Sequence, residues 1–289
     1  MSASAERVTA TRALELGGDR AVTRALRAHG ALVYVFLYLP ILVVVIYAFN
    51  EARLVQVWQG FSLKWFGEAW RDPTLRRGLW ISTYTATATA LLATVLGTAA
   101  ALGLRNVGRR TRTAFDGFMY MALITPELVA AIASLMAFVT VGLPLGPLAI
   151  VITHSIFNVA VVTLILRARL AGMDRSLEEA ARDLGATRWA TFVQVTLPQL
   201  LPAVAAGALL AFTFSFDDVV LSTFVSGPGS TPLPVEIFSA LRFGLSPKIN
   251  VVAVTTLTIT VTFIVVAQVL LRRAERRSAA TLAAEVTDA

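Results

Sequence analysis

Residues 31–49 read ALVYVFLYLPILVVVIYAF, nineteen positions without a single charge. A helix rises about 1.5 Å per residue, so a run of this length covers the roughly 30 Å hydrocarbon core of a bilayer. About thirty polar residues precede it, among them Arg7, Arg12, Arg20, Arg24 and Arg27, and no small-x-small site closes it, so it reads as a retained span rather than a cleaved leader. The composition agrees: of 289 residues 56% are apolar and 15% charged, with a mean hydropathy of +0.72, where a soluble domain carries about 25% charged residues. Lipid is the main solvent of this chain.

Outward from that run, five further apolar stretches fall at about 79–104, 115–141, 148–166, 198–224 and 251–271. Each is expected to be helical, because a backbone group left unpaired in hydrocarbon costs several kcal/mol and no barrel-like alternation is present. The expectation is an all-α integral membrane protein with six transmembrane helices. Residues 1–30 form an N-terminal tail, 31–271 the membrane domain and 272–289 a C-terminal tail. Lys and Arg divide unevenly between the two sides, 18 with the termini and 7 opposite, so the positive-inside bias puts both termini in the cytoplasm. The net charge of +7 is thereby explained by membrane topology, without nucleic acid as a partner. Trp58, Trp65 and Trp70, between the first two spans, read as interfacial anchors.

Several chemistries are excluded or disfavoured. There is no cysteine, and the two histidines, His29 and His154, are too far apart to form a metal motif. No glycine-lysine phosphate loop is present, so ATP, if used, is bound by a partner. No nucleophile, base and metal cluster stands at catalytic spacing, and the chain is read as no enzyme, with no catalytic residue, metal or cofactor of its own.

Charge inside a span is expensive and marks a cavity or a partner. Glu127 sits about 12 residues into the third stretch, roughly 18 Å deep by helical rise, beside the helix-kinking Pro126. Asp217 and Asp218 lie about 15 residues past Pro202, near the outer end of the fifth, flanked by Phe214 and Phe216. Carboxylates with aromatic faces suit a flexible cation with ammonium ends. The competing reading is structural: the acids pair among themselves, with Arg242 or Lys248, or with backbone amides where a helix begins. His154, with Ser155 and Asn158 nearby, reads as an interhelical hydrogen-bonding residue.

The most informative loop, 167–197, separates the fourth and fifth spans. Its segment DRSLEEAARDLGATRWATFVQVTLPQLLP (174–202) has Ser176 and Glu179 spaced as a capping box, a break at Gly185, a second short helix carrying Trp189 and Phe192, and Pro198 and Pro202 at the entry to the fifth span. Glu179, Ala180, Ala181, Gly185, Val195, Leu197 and Pro198, at this spacing, resemble the cytoplasmic loop signature of permease subunits of bacterial ABC importers, with Val195 where isoleucine is usual. The resemblance implies the type I, MetI-like permease fold, with Glu179, Ala180, Ala181, Gly185, Leu197 and Pro198 coupling the chain to an ATPase. It implies a second permease subunit, two ATP-binding subunits and an external solute-binding protein as partners, in the bacterial cytoplasmic membrane. The segments FNEARLVQVWQGFS (49–62), FSFDDVVLSTFVSGPGSTPLP (214–234) and EIFSALRFGLSPKIN (236–250) are similar to permeases of spermidine and putrescine importers, slightly favouring putrescine. On that resemblance Glu127, Asp217, Asp218, Phe214 and Phe216 would line a polyamine pathway. The rivals are an ABC permease for an amino acid, a sugar or iron, and an ATP-independent secondary transporter.

Overall fold

In this computed structural model the backbone is described for residues 2–52, 57–242, 247–262, 265, 268 and 269, with side chains described from Val22 onward. Every described regular element is helical, save one isolated bridge between Asn50 and Phe61. In chain order the helices are α1 (Ser2–Tyr47), α2 (Lys64–Arg71), α3 (Pro73–Gly103), α4 (Arg109–Ile124), α5 (Glu127–Val141), α6 (Pro147–Ala171), α7 (Ser176–Asp183), α8 (Arg188–Thr191), a π turn at Phe192–Thr196, α9 (Leu197–Phe216), α10 (Val220–Val225) and α11 (Leu233–Arg242), followed by α12 over 247–262. The chain divides into two compact units, Met1–Trp65 with Ser246–Val254 and Phe66–Leu245 with Thr255–Ala289.

In the first unit α1 runs unbroken from Ser2 to Tyr47, so the first apolar run continues a longer helix, whose part Val22–Tyr47 is long and apolar enough to cross a membrane. Past it, Asn50 organises the turn. Its amide donates to the Val57 carbonyl at 2.7 Å and its Oδ1 accepts from the backbone of Ala52 and Gln59 at 3.2 and 3.0 Å. Trp65 is only 6% exposed, unlike Trp58 and Trp70, so it serves as packing rather than as an interfacial anchor. Arg53 lies outside the described residues.

The second unit is built on α3, α6 and α9. Ala86, Ala90, Ala93 and Ala101 of α3 meet Val162, Leu166 and Leu170 of α6 and Leu200, Ala211, Phe212 and Phe216 of α9. Lipid tails are as apolar as leucine, so the helices gain by close approach, and small residues permit it. Val162 is fully buried between two glycines: a Cβ at Gly97 would stand 2.7 Å from its Cγ1, and one at Gly207 3.3 Å away. Gly97→Ala should therefore force α3 from α6 and cost about 1–3 kcal/mol, while Gly103→Ala, with open space at its Cβ, should change stability by less than about 0.5 kcal/mol. Thermal unfolding of the purified protein in detergent reads both, and equal melting temperatures would deny the close contact.

Two expected spans are not continuous. Residues 115–141 form α4 and α5, bent by 104° at Thr125–Pro126. Proline excludes the helical conformation from the residue before it, and Thr125 is extended with ψ 125° while Pro126 caps α5. Residues 198–224 form α9, which stops at Phe216, and the short α10, with Asp217 and Asp218 in the break. The breaks fall at these three acids, beyond the helical stretches of α4 and α9 along which their depths are counted. The helices that carry the second and fourth apolar runs extend beyond them, at Pro73–Gly103 and Pro147–Ala171. Asp72 starts the second by accepting from Thr74 N at 3.0 Å, with Pro73 at the first helical position. Among the described residues four helices are long and apolar enough to cross a membrane, or five with the bent pair. Of the sixth span, 251–262 is helical, and most of 263–271 lies outside the described residues, as does the tail 272–289.

Candidate functional site

The loop between α6 and α9 begins with a cap, though not the expected one. Asp174 Oδ1 accepts from Ser176 N at 2.9 Å, which holds its carboxyl below the usual carboxylate range, and Ser176 is the first residue of α7 rather than its cap. The aspartate two residues earlier reaches the free amide first, so the Ser176–Glu179 box does not form. Gly185 does end α7. With φ +89° it closes a Schellman motif, donating to the Arg182 carbonyl at 2.9 Å while Ala186 N donates to Ala181 O at 3.0 Å. Thr187 caps α8 by accepting from Ala190 N. The π turn follows, its last bond running from Leu197 N to Phe192 O. Val195 lies within it, and Leu197 and Pro198 open α9. Proline has no N–H, so the wide turn falls just where the ordinary ladder would lose a donor.

Glu179, Ala180 and Gly185 are exposed, Ala181 half-buried, and among the described residues Glu179 has no ionic partner. Leu177, Leu184 and Trp189 join them on the surface, Leu184 at 89% exposure. Glu178, which the sequence did not single out, points inward. It accepts from Arg105 through both oxygens at 2.9 and 3.1 Å and from Thr196 Oγ1 at 2.8 Å. The Arg105 guanidinium, ahead of the opposing effect of burial, holds the Glu178 carboxyl below the usual glutamate range. One carboxylate thus ties the loop helix to the end of α3 and to the π turn before α9. Arg167 similarly pairs with Asp116, joining α6 to α4. No local signal marks Glu178, because its partner is 73 residues away.

The second feature is a cavity of about 830 Å³, within the usual size of a small-molecule site. The two helix breaks bring Glu127, from the start of α5, together with Asp217 and Asp218, from between α9 and α10. Glu127 and Asp217 are exposed to it, whereas the Asp218 side chain is 6% exposed. Asp218 is held by its neighbours: its Oδ1 accepts from Ser222 N at 2.7 Å and lies 3.1 Å from His154 Nε2, and its carboxyl interacts with that of Glu127. Phe214 lines the cavity, edge-on to Phe157 at 5.8 Å. Phe216 does not. It is 3% exposed and stacks on Phe212 in the core, because residues two apart on a helix face different ways. Among the described residues no lysine or arginine lines the cavity.

A sequence profile described as "Binding-protein-dependent transport system inner membrane component" matches residues 93–279. The putrescine transport system permease protein PotI of Escherichia coli (strain K12) is 43% identical over 227 residues, 76% of this chain and 81% of that one. The spermidine/putrescine transport system permease protein PotC of Haemophilus influenzae is 36% identical over 241 residues, 83% of this chain and 94% of that one. Among solved structures, a bacterial ABC transporter involved in the import of the acidic polysaccharide alginate superposes with a TM-score of 0.72 over 90% of this chain and 99% of that chain, at 14% identity. The MetNI methionine ABC transporter, inward facing, superposes with a TM-score of 0.59 over 69% of this chain and 95% of that chain, at 18% identity. At such identities the likeness concerns the fold, which is that of ABC importer permeases. An all-helical membrane chain with a small capped knob between two spans, a profile match over most of its length and relatives above 30% identity together leave one assignment: the chain belongs to the family of binding-protein-dependent transport system inner membrane components.

Proposed function

We propose that this chain is the permease of an ATP-driven polyamine importer, and that it takes a diamine of the putrescine type through the cavity between the broken helices. One observation carries the cargo class. Three carboxyls and, among the described residues, no lysine or arginine converge on a space of about 830 Å³. Opposite charges 4 Å apart attract by about 4 kcal/mol at an effective dielectric constant near 20, before desolvation is subtracted. An acidic cargo would be repelled to the same extent. Glu127 and Asp217 meet the ammonium groups, the exposed ring of Phe214 offers a cation–π face, and Asp218 supports them from behind. The relatives named for putrescine and spermidine transport favour the same cargo.

The chain does no covalent chemistry in this reading. It works beside a second permease subunit, two ATP-binding subunits that supply the energy, and an external solute-binding protein, with its termini and the 167–197 loop in the cytoplasm. The loop docks on an ATPase subunit through Glu179, Ala180, Ala181 and Gly185, with Leu177, Leu184 and Trp189 supplying apolar contact. Leu197 and Pro198 pass its movement into α9. Nucleotide-driven closure of the ATPases then opens the cavity outward, and release reverses it.

The test is uptake of labelled putrescine into proteoliposomes holding the whole transporter. Asp217→Asn and Glu127→Gln should each raise KM about tenfold, equivalent to about 1.4 kcal/mol, with the maximal rate little changed. Unchanged KM in both variants would return these acids to a structural role. Competition by an unlabelled amino acid or sugar as strong as by putrescine would overturn the cargo.

A further inference from the structure

We infer that His154 is a positioning residue for cation uptake: through Asp218, Ser215 and Ser222 it fixes the broken segment that presents Asp217 to the cavity. The inference rests on the acidic-cavity reading above. Its geometric basis is a chain of short contacts. His154, 2% exposed on α6, has Nδ1 at 2.7 Å from Ser215 Oγ on α9, and Nε2 at 3.1 Å from Asp218 Oδ1 in the break and 3.3 Å from Ser222 Oγ on α10. One imidazole therefore touches the segment before the break, the break itself and the segment after it. Asn158, one turn along α6, donates its amide to the His154 carbonyl at 2.9 Å and holds that turn.

The hydrogen-bond roles follow from the partners. A carboxylate only accepts, so Nε2 carries the proton toward Asp218. Nδ1 faces the Ser215 hydroxyl, so the ring bonds to both sides of the break and holds Asp218 in the wall that also carries Asp217 and Glu127. Without that anchor the turn bearing the two aspartates loosens, and Asp217 is presented to a cation less often.

The experiment uses the complete transporter in proteoliposomes with labelled putrescine, comparing wild type, His154→Leu and His154→Gln with the same binding protein. His154→Leu removes the donor and should raise KM about tenfold with the maximal rate within about threefold, a split that general destabilisation would not give. His154→Gln keeps a hydrogen-bond donor and should recover most of that loss, with KM within about threefold of wild type. Should the leucine variant fail to assemble, Ser215→Ala, which removes the hydroxyl at Nδ1, should raise KM about threefold by itself. An unchanged KM in His154→Leu, or in Ser215→Ala where the leucine variant does not assemble, with wild type transporting putrescine normally, overturns this inference and leaves the cargo reading standing. A wild-type complex that takes up no diamine overturns both.

Discussion

Glu179→Lys is expected to abolish ATP-driven uptake, by a factor of about 100 or more, while the chain inserts and keeps its melting temperature. Two structural facts make the expectation specific. Glu179 is exposed on α7 and, among the described residues, has no ionic partner, so reversing its charge breaks nothing inside this chain. It also lies between the exposed Leu177 and Leu184, the apolar part of the surface proposed for docking. A reversed charge at the centre of a docking patch meets like charge or unpaired polar groups on the partner, a penalty of several kcal/mol. A hundredfold loss needs about 2.7 kcal/mol. Uptake and co-purification of the ATPase should fall together. Retained uptake with normal co-purification would remove Glu179 from the interface, and normal co-purification with lost uptake would place its role after docking.

The adjacent glutamate shows where reading the sequence succeeds and where it stops. The length of the uncharged apolar runs and the low share of charged residues are enough for the helical membrane class, and the spacing from Glu179 to Pro198 is enough for the family. These are local properties, carried by residues that need no distant partner. Gly185 ended its helix as expected because a left-handed residue is a local demand. The failures share a cause in contacts formed across the fold. The third and fifth apolar runs have the composition of single spans, yet Pro126 breaks one and the bonds of Asp218 to Ser222 N and His154 accompany the break in the other. The capping box at Ser176 lost to Asp174, two residues away, which only the geometry of the turn decides. Phe214 and Phe216 were equivalent as aromatic neighbours of an acid, and helix rotation sends one to the cavity and the other to the core. Glu178 was overlooked because its partner, Arg105, lies 73 residues away, just past the end of α3.

That last contact yields the second large effect. Glu178→Ala should leave ATP hydrolysis running while uptake per ATP drops about tenfold or more, because the loop helix would then move without pulling on α3 and α9. Arg105 and Glu178 are 17% and 13% exposed at the side chain, buried enough for the ion pair to escape much of the screening that weakens surface pairs. Hydrogen bonds to charged groups contribute about 1.5–3 kcal/mol each, and Glu178 accepts three, two from Arg105 and one from Thr196. The alternative role for Glu178 is direct docking on the ATPase, and a charge swap separates the two. Arg105→Glu alone sets two carboxylates together and should uncouple transport as the alanine variant does. Adding Glu178→Arg restores an opposite pair at the same place and should recover a substantial part of the coupling, whereas a docking glutamate turned into arginine would recover none. The Glu178 carboxyl is held below the usual range, so the stabilisation it supplies is present above the ordinary glutamate pKa and is lost as pH falls through the lowered one. Coupling through this contact should consequently persist through mildly acidic conditions and fail only in stronger acid. Uptake per ATP, measured along a pH series, should stay level through the ordinary glutamate range, and a fall within that range would show that the Arg105–Glu178 pair does not carry the coupling.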